Sequence, residues 1–156
     1  MFERVVSLEL EKAYEELKKL LLRKECKIIA EEHPKSITVE QGSLWEASPK
    51  KVKKIISFRL LSQDSKTRIV STSSLTSDWI NISILGYVLA GILAFIFWWL
   101  AEALRYTGFQ QSILVVSLLK ILSIGIAVAL IVSIIADIYI NARKDSFAKQ
   151  TLRLLP

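Results

Sequence analysis

The chain has 156 residues, of which 52% are hydrophobic, and a formal net charge of +6. Its single cysteine, Cys26, excludes an intramolecular disulfide and fits a reducing compartment. Basic residues flank two long apolar runs, so anionic lipid headgroups explain the positive charge more simply than nucleic acid does. Few Met, Cys and Asn beside many Lys, Glu and Ile give a thermophile-like composition.

Residues 1–77 are predicted to form a small α+β module. Residues 3–8 indicate a short strand, and apolar residues then recur every three or four positions from Leu10 to Leu21, which predicts a helix with one stripe facing a core. Residues 26–31 and 36–40 are rich in β-branched side chains and predict two strands joined by a proline turn. The turn contains His33, but no second His or Cys lies at ligand spacing, so we expect no metal site there.

Residues 41–51 are predicted to be a loop that leads into a run of lysines. In the favoured interpretation Trp45 covers the edge of the core, and in the alternative it enters the lipid headgroup layer. The lysine run is interpreted first as a solvated edge and second as a contact to anionic lipid. The candidate lipid contacts are Lys50, Lys51, Lys53, Lys54, Arg143 and Lys144.

Two further segments, residues 56–61 and 67–72, alternate between apolar and polar side chains around a polar turn at 63–65. This pattern predicts an antiparallel hairpin and completes the element order β-α-β-β-β-β. Ser77 or Asp78 can cap the next helix directly, so the last strand is expected to enter that helix with almost no linker.

Residues 78–140 are predicted to form a transmembrane hairpin, with helices at about 79–103 and 112–138 and a turn at 104–111. Each apolar run exceeds the roughly 20 residues that a helix needs to cross about 30 Å of hydrocarbon. Trp79 stands at one end of the first run, and Trp98 and Trp99 stand at the other. Tryptophan prefers the two membrane interfaces, so these three residues are predicted to be interfacial anchors.

Small residues recur every four positions along both predicted membrane helices and mark candidate helix-packing faces. An antiparallel hairpin that turns between Phe109 and Gln110 would place the two stripes at matching depths. They could equally contact a second protomer or another subunit. The residues are Gly86, Ala90 and Ala94 in the first helix and Gly125, Ala129 and Ser133 in the second.

Lys120 is a charged residue within the second apolar run, where a charge costs at least a few kcal/mol. The antiparallel pairing places it near the outer interface, about one helical turn in depth from Glu102. We therefore predict that Lys120 is an interfacial anchor, alone or paired with Glu102. A role in an ion or substrate pathway is the less favoured alternative.

The distribution of charge predicts the orientation. The net charge is +4 over residues 1–77, −1 over 78–140 and +3 over 141–156, which add up to the +6 of the whole chain. The positive-inside rule therefore places both termini in the cytoplasm, with two spans in the cell membrane. Residues 141–156 are predicted to be a basic helical tail that continues the second membrane helix and either docks on the sheet or lies along the interface.

The sequence contains no Gly-rich phosphate loop, Cys/His cluster or serine-nucleophile motif, so neither an enzyme nor a cofactor is predicted. The leading hypothesis is a small accessory or scaffolding integral membrane protein that contacts membrane lipids and binds a protein partner or itself. Nucleic acid is not an expected partner. The alternatives are a membrane-anchored module that binds a lipid or another apolar ligand and, third, a subunit of an oligomeric pore.

Overall fold

The computed structural model describes residues 1–46, 48–63, 66–106 and 112–156. These residues divide into two compact units. The sheet unit contains residues 1–79 and 138–156, and the helical unit contains residues 80–137. The predicted turn at 104–111, including its proposed centre at Phe109 and Gln110, lies largely outside the described residues.

The sheet unit is built on a five-stranded antiparallel sheet with strand order β1-β5-β4-β3-β2. The α+β class and the order β-α-β-β-β-β are confirmed. The predicted hairpin at 56–72 forms the centre of the sheet, with Ile56 opposite Ser73 and Leu60 opposite Ile69. The strands are β1 (Phe2–Val6), β2 (Lys27–Glu32), β3 (Ser36–Gln41), β4 (Lys54–Gln63) and β5 (Lys66–Leu75).

Two helices cover one face of this sheet: α1 (Leu10–Arg23) and α4 (Ser146–Leu152). The apolar stripe of α1 buries Ala13, Tyr14, Leu17 and Leu21, as its three- and four-residue spacing predicts. Alternate strand residues complete the core from the sheet, including Ile37, Val39, Ile56, Phe58 and Ile69. The helix α4 adds Phe147, Ala148 and Leu152 to the same core.

The two long apolar helices are α2 (Ser77–Arg105) and α3 (Ser112–Ala142). Both are long and apolar enough to cross a membrane, and only 0% and 11% of their most apolar stretches are buried within the chain. The prediction that the second long helix continues without a break through the tail at 141–156 is wrong. The helix α3 ends at Ala142, a turn follows, and the short helix α4 begins at Ser146. The chain turns there because Phe147 and Leu152 are drawn into the core of the sheet unit.

Candidate functional site

Large apolar side chains are exposed along α2 and α3. Examples are Leu85, Phe95, Leu114, Ile121 and Ile135, each 59% to 83% exposed. A core helix of a soluble protein buries such residues, because burial of a Leu or Phe side chain contributes about 1.5–3 kcal/mol. The candidate functional surface of the helical unit is therefore this apolar surface together with the polar side chains that interrupt it.

The less exposed residues of α2 alternate three- and four-residue spacing through Tyr87, Ala90, Ala94, Phe97 and Ala101. The α3 residues Val116, Leu119, Ser123, Ile126 and Leu130 follow the same spacing. This alternation is typical of helices that pack side by side at a small crossing angle. One interhelical hydrogen bond lies within this seam, where Ser123 Oγ, 6% exposed, donates to the carbonyl oxygen of Ala94 at 2.8 Å.

The predicted helix-packing residues separate into two groups. Ala90 and Ala94 are half-buried on the face of α2 that carries the seam. Gly86, Gly125 and Ala129 are exposed, and a Cβ atom added to either glycine would meet nothing within 4 Å. Ser133 is also exposed, and its hydroxyl donates to the carbonyl oxygen of Ala129 within its own helix at 2.9 Å. The α3 stripe thus lies outside the contact with α2, and its packing against another molecule stays a prediction.

Lys120 and Glu102 lie together, as their predicted depths require. Lys120 Nζ is 2.6 Å from Glu102 Oε1, and both side chains are about one-third exposed. The ammonium also lies 5.2 Å from the centre of the Trp98 ring, a cation–π distance. Trp98 and Trp99 themselves are 45% and 61% exposed. This arrangement is suited to an interfacial position, because the charge is paired and a tryptophan is beside it.

A further polar contact between α2 and α3, from Tyr87 to Asp137, was not predicted from the sequence. The hydroxyl of Tyr87 donates to the carboxylate of Asp137 and lies 3.5 Å from the carbonyl oxygen of Ser133. The signal was available, because the depth rule that pairs Lys120 with the region of Glu102 also places Asp137 within about one and a half turns of Tyr87. The two polar contacts, at Glu102 and at Tyr87, are 15 residues apart along α2, or about 22 Å.

The sheet unit has a second, smaller hydrophobic cluster of Val52, Trp79 and Ile140, with Leu44 and Leu75 packed against it. Trp79 is only 7% exposed. The prediction of Trp79 as an interfacial anchor is therefore wrong, because its ring is used as a core residue. The cluster joins the first turn of α2 and the last turn of α3 to Leu44 and Val52.

The four lysines at 50–54 have different surroundings, because the last of them begins a strand. Lys50 and Lys51 are exposed, whereas Lys53 pairs with Glu40 at 2.8 Å and with Asp78 at 3.3 Å. Lys54 is fully buried, so the expectation of a contact to lipid is wrong for this residue. It begins β4 on the face that also carries Ile56, since alternate residues share one face of a strand.

The buried ammonium of Lys54 is held by the loop before it. Lys54 Nζ donates to the carbonyl oxygens of Pro49 at 2.6 Å and of Lys50 at 3.4 Å, and it lies 5.4 Å from the centre of the Phe147 ring. Burial lowers the pKa of Lys54 from 10.5 to about 8, with Asp145 and Cys26 acting in the opposite direction. A lysine in the core thus fixes the backbone of an exposed loop.

Two other candidate lipid contacts, Arg143 and Lys144, and the loop residue Trp45 were also assigned roles from the sequence. Arg143 lies 5.2 Å from the Tyr139 ring, and Lys144 Nζ donates to Asn141 Oδ1 at 3.1 Å. Both cations follow Ile140 of the small cluster by three and four residues. Trp45 is 88% exposed, so the favoured interpretation that it covers the core is wrong.

Cys26 and His33 pack against other residues of the sheet unit. Burial raises the pKa of the Cys26 thiol, although Lys24 and Lys54 oppose the shift. His33 packs edge-on against the ring of Tyr14 at 4.5 Å. The Tyr14 hydroxyl donates to Glu31 Oε1 at 2.6 Å, and burial together with this bond raises the pKa of Tyr14. No group of three or more metal-ligating side chains occurs among the residues that the structure describes.

A surface cavity of about 410 Å³ lies at the other end of the sheet unit. Leu10, Leu60 and Leu61 provide its apolar wall, and Lys35 and Arg59 provide positive charge. The sequence contained no motif for this cavity, because its lining comes from α1, from the end of β2, the start of β3 and the turn between them, and from the far end of β4.

No protein-family model matches the chain, and no curated protein has a detectably similar sequence. The class of the protein therefore follows from its structure: it is an α+β protein with two helices long and apolar enough to cross a membrane.

Proposed function

We propose that the chain is a small integral membrane protein in which α2 and α3 form a two-span hairpin and the sheet unit is an accessory or scaffolding module. The observation that carries this proposal is the exposure of the apolar stretches of α2 and α3, only 0% and 11% of which are buried. Water would solvate this surface unfavourably, at about 25 cal/mol for each Å². Lipid removes that cost without any partner protein.

The proposed orientation places both termini in the cytoplasm. The segments at the joined ends of the hairpin carry net charges of +4 and +3, and Arg105 is a basic residue near its other end. The helical unit supports an interface at the loop end of the hairpin, since the Lys120–Glu102 pair and the Trp98 ring lie near the C-terminal end of α2 and the N-terminal end of α3. Paired charges and tryptophan are typical of an interface.

Membrane insertion and orientation can be tested with cysteine labelling in intact cells. In a Cys26→Ser background, Tyr106→Cys and Lys149→Cys each introduce a thiol at an exposed position. We expect a membrane-impermeant maleimide to label Tyr106→Cys from outside and Lys149→Cys only after permeabilisation. Labelling of both from outside would contradict the hairpin, and extraction of the protein by alkaline carbonate would contradict insertion.

The scaffolding role is supported by the helix faces that the chain leaves open. The small residues Gly86, Gly125 and Ala129 are exposed, and such residues allow backbones of neighbouring helices to approach closely. We propose that one or more of these small residues contact a membrane helix of a partner protein or of a second copy. The sheet unit would then hold the complex at the cytoplasmic surface.

Native mass spectrometry from mild detergent tests this role. We expect a homo-oligomer or a complex with a partner subunit, and we expect Ala129→Leu to dissociate it. Ile135→Leu is the matched control, because Ile135 is 60% exposed on the same helix and the substitution keeps its volume. A monomer that carries no other protein in lipid-like detergent would contradict the scaffolding role.

The cavity at the far end of the sheet unit favours a second candidate function, binding of an apolar ligand. The lining combines three leucines with the cations Lys35 and Arg59 and one carboxylate, Glu32, and this excess of positive charge would accept an amphipathic anion, with its chain against the leucines and its acid beside the cations. Isothermal titration of the detergent-solubilised protein with decanoate tests it. Binding that is lost in Arg59→Gln and kept in Arg68→Gln, a cation of the neighbouring strand outside the cavity lining, would favour this candidate.

A further inference from the structure

The loop residues 43–46 and 48–51 present an exposed tryptophan, and backbone contacts hold the neck of this loop. Gly42 has a φ of +96°, and a Cβ atom there would lie 2.3 Å from the carbonyl oxygens of Lys51 and Val52. The Ser43 amide donates to the Lys51 carbonyl at 2.8 Å, and the Lys53 amide donates to the Ser43 carbonyl at 3.0 Å. The neck of the loop is therefore closed by backbone contacts that only glycine at position 42 permits.

Buried residues of the sheet unit also contact this loop. Lys54 Nζ donates to the Pro49 carbonyl at 2.6 Å, and Leu44 packs against the cluster of Val52 and Trp79. Loops that expose tryptophan by fraying have few such contacts. Trp45 is thus 88% exposed although contacts of Leu44 and Pro49 hold the loop on either side of it.

The position of the loop along the chain points to its surroundings. Leu44 packs against the cluster of Val52, Trp79 and Ile140. Trp79 lies in the first turn of α2, directly before the apolar residues that begin at Ile80. If that run enters hydrocarbon, Trp79 and the residues packed on it lie within about one turn of the membrane boundary, because a helix rises about 1.5 Å per residue. The headgroup layer is the environment that tryptophan prefers.

The charges of this loop are complementary to an anionic surface. Lys50 is exposed and has no ion-pair partner among the described residues, and Lys51 has only an exposed contact of 3.5 Å with Glu46. Arg143 and Lys144, which follow Ile140 of the same cluster, add positive charge. Each lysine or arginine near an anionic bilayer contributes about 1 kcal/mol of attraction.

We infer that the loop residues 43–46 and 48–51 bind lipid: Trp45 enters the headgroup layer, and Lys50 and Lys51 bind the phosphates of anionic phospholipids. Lys53 and Lys54 position the loop and do not bind lipid, since one is paired with Glu40 and the other is buried. This inference rests on the proposed insertion of α2 and α3. It adds a specific lipid contact that a simple two-helix anchor does not need.

The test uses the full chain, one copy per nanodisc, in phosphatidylcholine with or without about one-third phosphatidylglycerol. Tryptophan fluorescence is compared between the full chain and Trp45→Phe, so that the difference isolates Trp45. Two quenchers are used: acrylamide in water and a phospholipid spin-labelled at its headgroup. With phosphatidylglycerol present, we expect the Trp45 signal to be at least about twofold less sensitive to acrylamide and to be quenched by the headgroup label.

Matched charge variants identify the binding residues. The double variant Lys50→Gln/Lys51→Gln should lose the dependence on phosphatidylglycerol. The control Lys12→Gln/Lys66→Gln removes the same charge from exposed positions outside the loop and outside the cavity, since Lys12 lies in the first turn of α1 and Lys66 begins β5 opposite Gln63, and should keep it. Equal acrylamide sensitivity of Trp45 in both lipid compositions would overturn the inference. Protection that persists in lipid-free amphipol would also overturn it, because protein would then cover the residue.

The same samples separate failure of the loop from failure of membrane insertion. Trp45→Phe retains Trp98 and Trp99 in the helical unit. Quenching of these residues by phospholipids brominated on their acyl chains reports insertion of α2. If this quenching is present and the Trp45 signal does not respond, only the loop inference fails. If it is absent, the proposed membrane hairpin fails as well.

Discussion

Replacement of Lys54 by Met should change how the stability of the sheet unit depends on pH. The wild-type side chain is fully buried, and its ammonium donates to the carbonyl oxygens of Pro49 and Lys50. Methionine has a similar length, removes the buried charge and leaves these two carbonyl groups without this donor. At neutral pH the two effects oppose each other, because an unsatisfied buried polar group costs about 1–3 kcal/mol. The pH dependence, however, has a definite sign.

The sign follows from proton binding. Burial lowers the folded-state pKa of Lys54 from 10.5 to about 8. Below pH 8 the lysine is charged in both states, so the cost of burying the charge is fully present. Between pH 8 and 10.5 the folded chain has released the proton while the unfolded chain keeps it, so stability rises with pH. From pH 7 to pH 10 this contribution amounts to about 2 kcal/mol, at about 1.4 kcal/mol for each pKa unit.

Urea unfolding in detergent, followed by the circular dichroism of the sheet, measures this contribution at pH 7 and pH 10. We expect wild type to gain about 2 kcal/mol relative to Lys54→Met over this range. Lys66→Met is the control, because Lys66 is exposed and should show the wild-type pH dependence. Parallel pH profiles for wild type and Lys54→Met would refute the interpretation that a buried ammonium holds the loop.

The other predictions concern the two helices and the core. Lys120→Met removes the partner of Glu102 but should still insert, with a change in unfolding free energy of at most about 1–2 kcal/mol; a larger loss measured by unfolding in detergent would contradict interfacial anchoring. Ala90→Leu should overpack the contact between α2 and α3 and lower the unfolding free energy by about 1–3 kcal/mol in the same assay. Ala129→Leu should leave the stability of the monomer unchanged, and equal effects of the two substitutions would refute the assigned faces. Leu152→Ala should cost the sheet unit about 2–5 kcal/mol in urea unfolding, and a neutral result would exclude α4 from the core.

The elements with a clear hydrophobic period were predictable from the sequence. The three- and four-residue spacing in α1 and the alternation in β4 and β5 identified the elements and their buried faces. The same alternation, extended two residues back from Ile56, would have placed Lys54 in the core. Burial of Lys54 was not predicted, because four lysines close together are usually solvated. Burial of one of them requires a specific set of carbonyl partners, which the sequence does not reveal.

Tertiary contacts account for the other differences. Trp79 has the sequence position of an interfacial anchor, but Val52 and Ile140 provide an apolar cluster that buries it. Trp45 has the position of a core cover, but its neighbour Leu44 packs against the small cluster instead and Trp45 is left 88% exposed. Both outcomes depend on residues that are distant in sequence or on a backbone conformation, and neither produces a periodic pattern.

The path of the chain couples completion of the sheet unit to synthesis of both long helices. Residues 1–77 contain all five strands and α1, but a domain of this size buries a small fraction of its surface and is only marginally stable. Phe147 and Leu152 of α4 complete its core and follow α3 in the chain. During synthesis the sheet therefore lacks part of its core until α2 and α3 have been made. A module that matures only after its proposed membrane helices exist is suited to act on partners at the membrane, because its finished surface appears only on chains that already contain the anchor.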